Sequence, residues 1–133
     1  EIDYVIWLFG IPKSSSSIKR SVSSLSIDSI DYANYIFQYD KFTTSIILNY
    51  YRKKIKREIE ILFDKETWNV NLINNTIIND NGNVIFKSEK FDILKTYKLQ
   101  LEYFVNCLKS KKKPMNSLQE SIPALKICLD YEE

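Results

Sequence analysis

The sequence predicts an α+β fold: an open-faced, mainly antiparallel β-sheet with helices packed on one face. The elements follow the order helix, several β-rich runs, two helices, and such segregation of strands from helices is typical of this class. The β-rich runs are joined by short turns, of which Asn81-Gly82 is typical of a tight hairpin. A chain of 133 residues with 44% hydrophobic residues can bury an ordinary core, so residues 1–133 are expected to form a single domain.

The first predicted helix places its apolar side chains on one face and ends at Gly10, with Pro12 beyond it. Those side chains are Ile2, Val5, Ile6 and Phe9. No N-cap residue stands before this pattern, which predicts that natural sequence precedes Glu1.

Two helices are predicted near the end of the chain. The apolar face of the first carries Leu94, Tyr97, Leu101, Phe104, Val105 and Leu108, and Pro114 ends it. The motif Ser117-Leu-Gln-Glu120 is a capping box that opens the last helix. Pro123 removes one backbone donor, which predicts a kink or a later start.

Between the helices, residues 32–39, 43–51 and 55–63 are rich in β-branched and aromatic residues and predict strands. Residues 14–17, all serine, are expected to form a loop that enters a strand at Ile18. Residues 68–86 alternate short apolar runs with Asn-rich turns. The prediction is five or six strands.

Neither face of the predicted central strands is cleanly polar. In residues 32–39, Tyr35 and Phe37 point one way and Ile36 the other, while Ile47 opposes the apolar face of the next strand. An antiparallel sheet with one solvated face normally alternates cleanly, so the second face is expected to be covered. Its tyrosine-rich, weakly charged composition predicts a homo-oligomer formed through the open sheet face. The alternative is an ordinary apolar monomer surface.

Arg57 shares a predicted strand face with Ile55, Ile59, Ile61 and Phe63. A cation in such a place needs a carboxylate partner or an anionic ligand, so both a salt bridge and a ligand contact remain open. The surrounding run from Arg52 to Arg57 could track phosphates, but its alternation and the following glutamates favour a solvated strand face. With a net charge of +2, neither a nucleic acid nor a membrane is expected as a partner.

Composition excludes several chemistries for this chain acting alone. It has no histidine, which removes the commonest general base and metal ligand, and its two glycines cannot form a dinucleotide-binding fingerprint. Cys107 and Cys128 are expected to be buried, reduced thiols, which favours the cytoplasm. The remaining candidate oxygen ligands lack metal-site spacing and are expected in surface loops: Asp28, Asp31, Asp64, Glu66 and Asp80.

Three stretches together resemble the C-terminal domain of the Gfo/Idh/MocA oxidoreductases. They are Glu1-Ile-Asp-Tyr-Val-Ile-Trp-Leu-Phe-Gly10, Ile46-Ile-Leu-Asn-Tyr-Tyr-Arg-Lys-Lys-Ile-Lys-Arg-Glu-Ile-Glu-Ile61, and Tyr97-Lys-Leu-Gln-Leu-Glu-Tyr-Phe-Val-Asn-Cys-Leu108 followed by Lys113-Pro. The resemblance implies a two-domain enzyme whose other half is a Rossmann domain that binds NAD or NADP. The substrate would be a sugar or nucleotide-sugar.

The resemblance also implies where the chemistry lies. The family's active-site helix reads roughly Asp-x-x-x-His-x-x-Asp, and its last aspartate matches Asp3, so the catalytic histidine would immediately precede Glu1. Asp3 and Arg57 are the candidate substrate-binding residues, and no catalytic or cofactor-binding residue is expected in this chain, which would be inert alone. Two alternatives remain open, namely a free-standing dimerisation or scaffold module and a basic nucleic-acid-binding domain.

Overall fold

The computed structural model describes residues 1–88 and 92–130. Within these residues, three helices and seven strands follow one another in the order expected for an α+β chain. They are α1 Ile2–Phe9, β1 Ser14–Arg20, β2 Tyr32–Gln38, β3 Thr43–Asn49, β4 Glu58–Leu62, β5 Thr67–Asn71, β6 Thr76–Asn79, β7 Val84–Lys87, α2 Ile93–Ser110 and α3 Leu118–Leu129.

The strands form two antiparallel meanders, β1-β2-β3 and β4-β5-β6-β7. Each strand pairs with its neighbour in sequence, and a bulge between Ile77 and Ile78 interrupts the β6–β7 register. The chain divides into two compact units. The first unit joins Glu1–Tyr51 to the chain from Lys112 onwards, and the second is Arg52–Lys111.

The first unit has a small apolar core between its helices and one face of its sheet. Phe37 and Tyr35 of β2 are buried against Ile2 and Val5 of α1 and Ala124 of α3. Burying a large apolar side chain contributes roughly 1.5–3 kcal/mol. Helices α1 and α3 thus cover one face of the sheet and leave the other open, which confirms the predicted fold class.

The second unit combines β4–β7 with α2. Ile59, Val70 and Ile77 follow one another across neighbouring strands on one half-buried face. Among its described residues, only Asn79 and Cys107 are buried. Phe63 and Trp68 pack edge to face with ring centroids 5.0 Å apart.

The structure corrects three strand predictions. The described residues contain seven strands, whereas five or six were predicted. Residues 14–17 belong to β1 rather than to a loop, because Ser15 and Ser17 pair with Phe37 and Tyr35 of β2. The strand predicted for residues 55–63 begins only at Glu58. Residues 52–57, which precede this strand, are irregular, and their crowded cationic side chains are exposed to solvent.

The last helix begins where its capping box predicts. The carboxylate of Glu120 accepts a 2.6 Å hydrogen bond from the backbone N–H of Ser117, and α3 runs through Pro123 without a later start. Gly10 ends α1 as predicted, with φ of 82°, and its N–H donates to the carbonyl of Ile6.

Candidate functional site

The open face of the three-stranded sheet is the first candidate site. Its apolar members are Ile18, Ile36 and Ile47, with 57%, 39% and 58% of their surface exposed. Ile18 and Ile47 lie on either side of Asn34 in register, so they share a face of the pleated sheet. They lie on the side opposite the helix-covered core.

The rest of this open face is polar but nearly uncharged. Of the two tyrosines in β1–β3, Tyr32 lies on this face and Tyr35 is buried on the covered one, so the expected tyrosine-rich composition was wrong. The hydroxyl of Ser14 donates to Gln38 at 3.0 Å, and that of Ser45 to Asn34 at 3.3 Å. By strand alternation, Arg20 is the one charged strand residue on it. Depletion of charge is what distinguishes the centre of a protein interface from ordinary surface.

A polar cluster on the covered side fixes α3 to β1. The ammonium of Lys19 donates to Asp130 Oδ2 and to the carbonyl of Cys128, both at 2.6 Å, and lies 5.5 Å from the ring centroid of Tyr35. The hydroxyl of Ser17 donates to Asp130 Oδ1 at 2.7 Å. Asp130 itself is the C-cap residue of α3, with φ of 51°.

Three pKa values are shifted in this cluster. Burial alone would lower the pKa of Lys19, but the hydrogen bond to Asp130 and the nearby Tyr35 raise it overall. The same bond, helped by Ser17, holds the pKa of Asp130 below its usual value. Burial raises the pKa of Tyr35.

Asp31 is the last residue of the loop that joins β1 to β2, residues 21–31. Its carboxylate accepts hydrogen bonds from the backbone N–H groups of Val22 and Ser23, both at 2.9 Å, and from the Ser23 hydroxyl. Its own N–H donates to the carbonyl of Arg20 at 3.1 Å. The Ser23 hydroxyl and the Val22 N–H lower the pKa of Asp31.

Asp31 is only 1% exposed, so the expectation that it lies on a loop surface was wrong. Sequence reasoning also passed over Lys19 and Asp130. A usable signal existed for Lys19, because strand alternation from Ile18 places this cation on the covered face. No sequence pattern links it to Asp130, which is 111 positions away.

The two residues proposed for substrate binding are both exposed. Asp3 lies in the first turn of α1, where a carboxylate suits the positive end of a helix. Arg57 precedes β4, and its carbonyl accepts the N–H of Leu72 at 2.9 Å. Both cysteines are free thiols, but only Cys107 is buried; Cys128 is exposed.

The described residues offer little that could hold a small ligand or a metal. Two depressions of about 410 and 430 Å³ run along α2, and each is lined by residues of that helix and its N-cap alone, so neither encloses a ligand. No group of three potential metal ligands occurs among residues 1–88 and 92–130. In the same residues, no helix has both the length and the apolarity that a membrane span requires.

Solved structures share this fold. A UDP-N-acetylglucosamine 3-dehydrogenase from Acidithiobacillus ferrooxidans, GnnA, superposes with a TM-score of 0.74 at 16% identity over 97% of this chain. A biliverdin reductase from Synechocystis sp. PCC 6803, solved with biliverdin and NADP+, gives a TM-score of 0.74 at 15% identity over 96%. The chain therefore shares its fold with a part of each of these two proteins.

The shared fold makes up less than half of each of those proteins. The chain spans 42% of the dehydrogenase and 41% of the reductase. The resemblance expected from the three sequence stretches is confirmed at the level of fold. No protein-family model matches the sequence, and no curated protein does.

Proposed function

We propose that this chain is the C-terminal domain of a cytoplasmic NAD(P)-dependent sugar or nucleotide-sugar oxidoreductase, where it forms part of the substrate-pocket wall and the oligomer interface. The observation that carries the proposal is the fold agreement over 97% of the chain with a dehydrogenase named for a nucleotide-sugar. The NADP+ bound to the biliverdin reductase supports the cofactor class.

In this proposal, the chemistry belongs to the rest of the enzyme. The chain contains no histidine and only two glycines, so it supplies neither an imidazole acid/base nor a glycine-rich turn for a dinucleotide. It binds neither NAD nor NADP by itself and is inactive as an isolated domain. Asp3 and Arg57 contribute exposed charges that contact the substrate.

The open sheet face is the proposed self-interface. Ile18, Ile36 and Ile47 supply its apolar centre, and the serine and asparagine side chains around them form hydrogen bonds without the desolvation cost of charges. A two-fold axis through this face would pack the sheet of one copy against that of the next.

Light scattering across a range of concentrations tests the interface. We expect the wild-type chain to form a dimer or higher oligomer, and Ile47→Lys to shift it to monomer by placing a charge at the centre of the face. Ile11→Lys is the matched control, because Ile11 is similarly exposed, at 65%, but lies between α1 and β1. A wild-type chain that remains monomeric at high concentration would refute the self-interface.

The size of the native protein distinguishes the two-domain enzyme from the alternative, a free-standing dimerisation or scaffold module. An antibody raised against this chain is expected to detect a native protein about two and a half times its 15.7 kDa. A native protein of the chain's own size would favour the scaffold module. In the native-length enzyme, Asp3→Asn and Arg57→Gln should each raise KM for UDP-N-acetylglucosamine without changing KM for the oxidised cofactor, NAD+ or NADP+. An unchanged KM for UDP-N-acetylglucosamine would remove that residue from substrate binding.

A further inference from the structure

The segment Arg52-Lys-Lys-Ile-Lys-Arg57 carries five cations in six residues. It is irregular, and each of its residues is exposed, so the alternation that suggested a solvated strand face does not apply to it. Lys56 forms an ion pair with Glu58 at 2.9 Å. Arg52, Lys53 and Lys54 form no ion pair within the described residues.

Ile55 lies in the middle of these cations and is 87% exposed, the highest fraction of any large apolar side chain in the described part of the chain. An isoleucine at this exposure gains nothing from the fold. Transfer to an apolar environment would contribute about ten- to a hundredfold in affinity. The basic side chains on both sides restrict that environment to one bordered by negative charge.

We propose that residues 52–56 dock on an anionic lipid surface, with Ile55 inserted at the boundary between headgroups and acyl chains and the cations of Arg52, Lys53 and Lys54 against the headgroups. A basic cluster near a lipid surface gains affinity from each charge, and an inserted apolar side chain adds to it. A nucleic acid would match the charge and would also offer bases to the exposed rings of Tyr50 and Tyr51, but it provides no apolar environment for Ile55. This inference is independent of the oxidoreductase assignment.

Vesicle flotation with the full chain tests the proposal. The probes are vesicles of phosphatidylcholine alone and of phosphatidylcholine with about one-third phosphatidylserine. We expect binding only to the second kind. The variant Arg52→Ser/Lys53→Ser/Lys54→Ser should lose about a hundredfold in affinity. Lys109→Ser/Lys112→Ser/Lys113→Ser removes the same charge from exposed positions near the end of α2 and should bind like the wild type.

Ile55→Ser separates insertion from simple charge attraction, since it leaves the net charge unchanged. We expect it to weaken binding to phosphatidylserine vesicles about tenfold or more. Four results would overturn the proposal: equal binding to both vesicles, equal loss in the two triple variants, no effect of Ile55→Ser, or vesicle binding by the chain that the native-length protein lacks. Tighter binding to a single-stranded oligonucleotide than to phosphatidylserine vesicles would assign the segment to nucleic acid instead.

Discussion

At the scale of single residues, Asp31 is a buried carboxylate that holds one loop in place. Its buried carboxylate satisfies three donors of the loop that follows β1, and a buried donor left without a partner is costly. We expect Asp31→Asn to lower the midpoint of thermal unfolding at neutral pH, because an amide offers one acceptor oxygen and turns its NH₂ towards donors. Asp28→Asn, at an exposed position of the same loop, is the control and should leave the midpoint unchanged.

The lowered pKa of Asp31 also predicts an acid dependence. A carboxyl whose pKa is lower in the folded state stabilises the fold above its unfolded value, near 3.9, and that contribution is lost as the pH falls through the folded pKa. The difference in unfolding midpoint between wild type and Asp31→Asn should therefore shrink as the pH is lowered below about 4. A difference that stays constant down to pH 2 would contradict the assignment.

Lys19 is a second single residue with a structural role, because its ammonium joins β1 to the end of α3. We expect Lys19→Met to lower the free energy of unfolding in urea by about 1–2 kcal/mol, because it removes two charge-assisted hydrogen bonds while keeping the aliphatic stem. Lys13→Met removes an ion pair to Asp40 in which both side chains are largely exposed, and should cost less than about 0.5 kcal/mol. Equal losses would show that Lys19 acts only as a surface charge.

The raised pKa of Lys19 fixes the sign of its pH dependence. Its contribution is complete below its unfolded pKa of about 10.4 and is lost as the pH rises through the folded value. The advantage of wild type over Lys19→Met should therefore decline only in strongly alkaline solution.

At the scale of elements, the start of α3 depends on its capping box. Glu120→Ala removes the acceptor for the Ser117 N–H and should lower the unfolding midpoint. That hydrogen bond also lowers the pKa of Glu120, so the difference from wild type should disappear at acid pH. Gln119→Ala, on the same turn and exposed, is the control and should cost nothing, because alanine is the better helix former.

The helices were predictable because their signals are local. Gly10 and the pair Ser117–Glu120 each fix a helix end within one turn, and the structure places these ends as the sequence predicts. Strand β1 was not predictable in the same way. Four serines have little strand preference, and they extend because β2 offers partners across the sheet.

Before β4 the error was the opposite one, because the sequence predicted strand residues where the structure has none. Residues 52–57 alternate in a way that predicts a strand, but the structure pairs none of them in a ladder. The residue pattern of one segment does not show whether another strand is available to pair with it. The open face was predictable from Ile36 and Ile47, whereas the Lys19–Asp130 contact joins residues far apart in sequence.

At the scale of the whole molecule, burial is unevenly distributed between the two units. The first contains all five residues of the apolar core, with Phe37 fully buried, whereas in the described residues of the second only Asn79 and Cys107 are buried. Amides exchange through local opening when few buried contacts oppose it. We therefore expect amide hydrogens of β2 to exchange more slowly than those of β5 and β6.

Hydrogen exchange followed by mass spectrometry measures this order on the intact chain. Phe37→Ala should speed exchange throughout the first unit, since removing a fully buried ring costs about 3–5 kcal/mol. Phe86→Ala is the matched control, because Phe86 is 52% exposed in β7 and leaves only a small cavity. If β2, β5 and β6 exchange at one common rate that both variants raise equally, the chain opens as a single cooperative body, and the uneven burial has no energetic consequence.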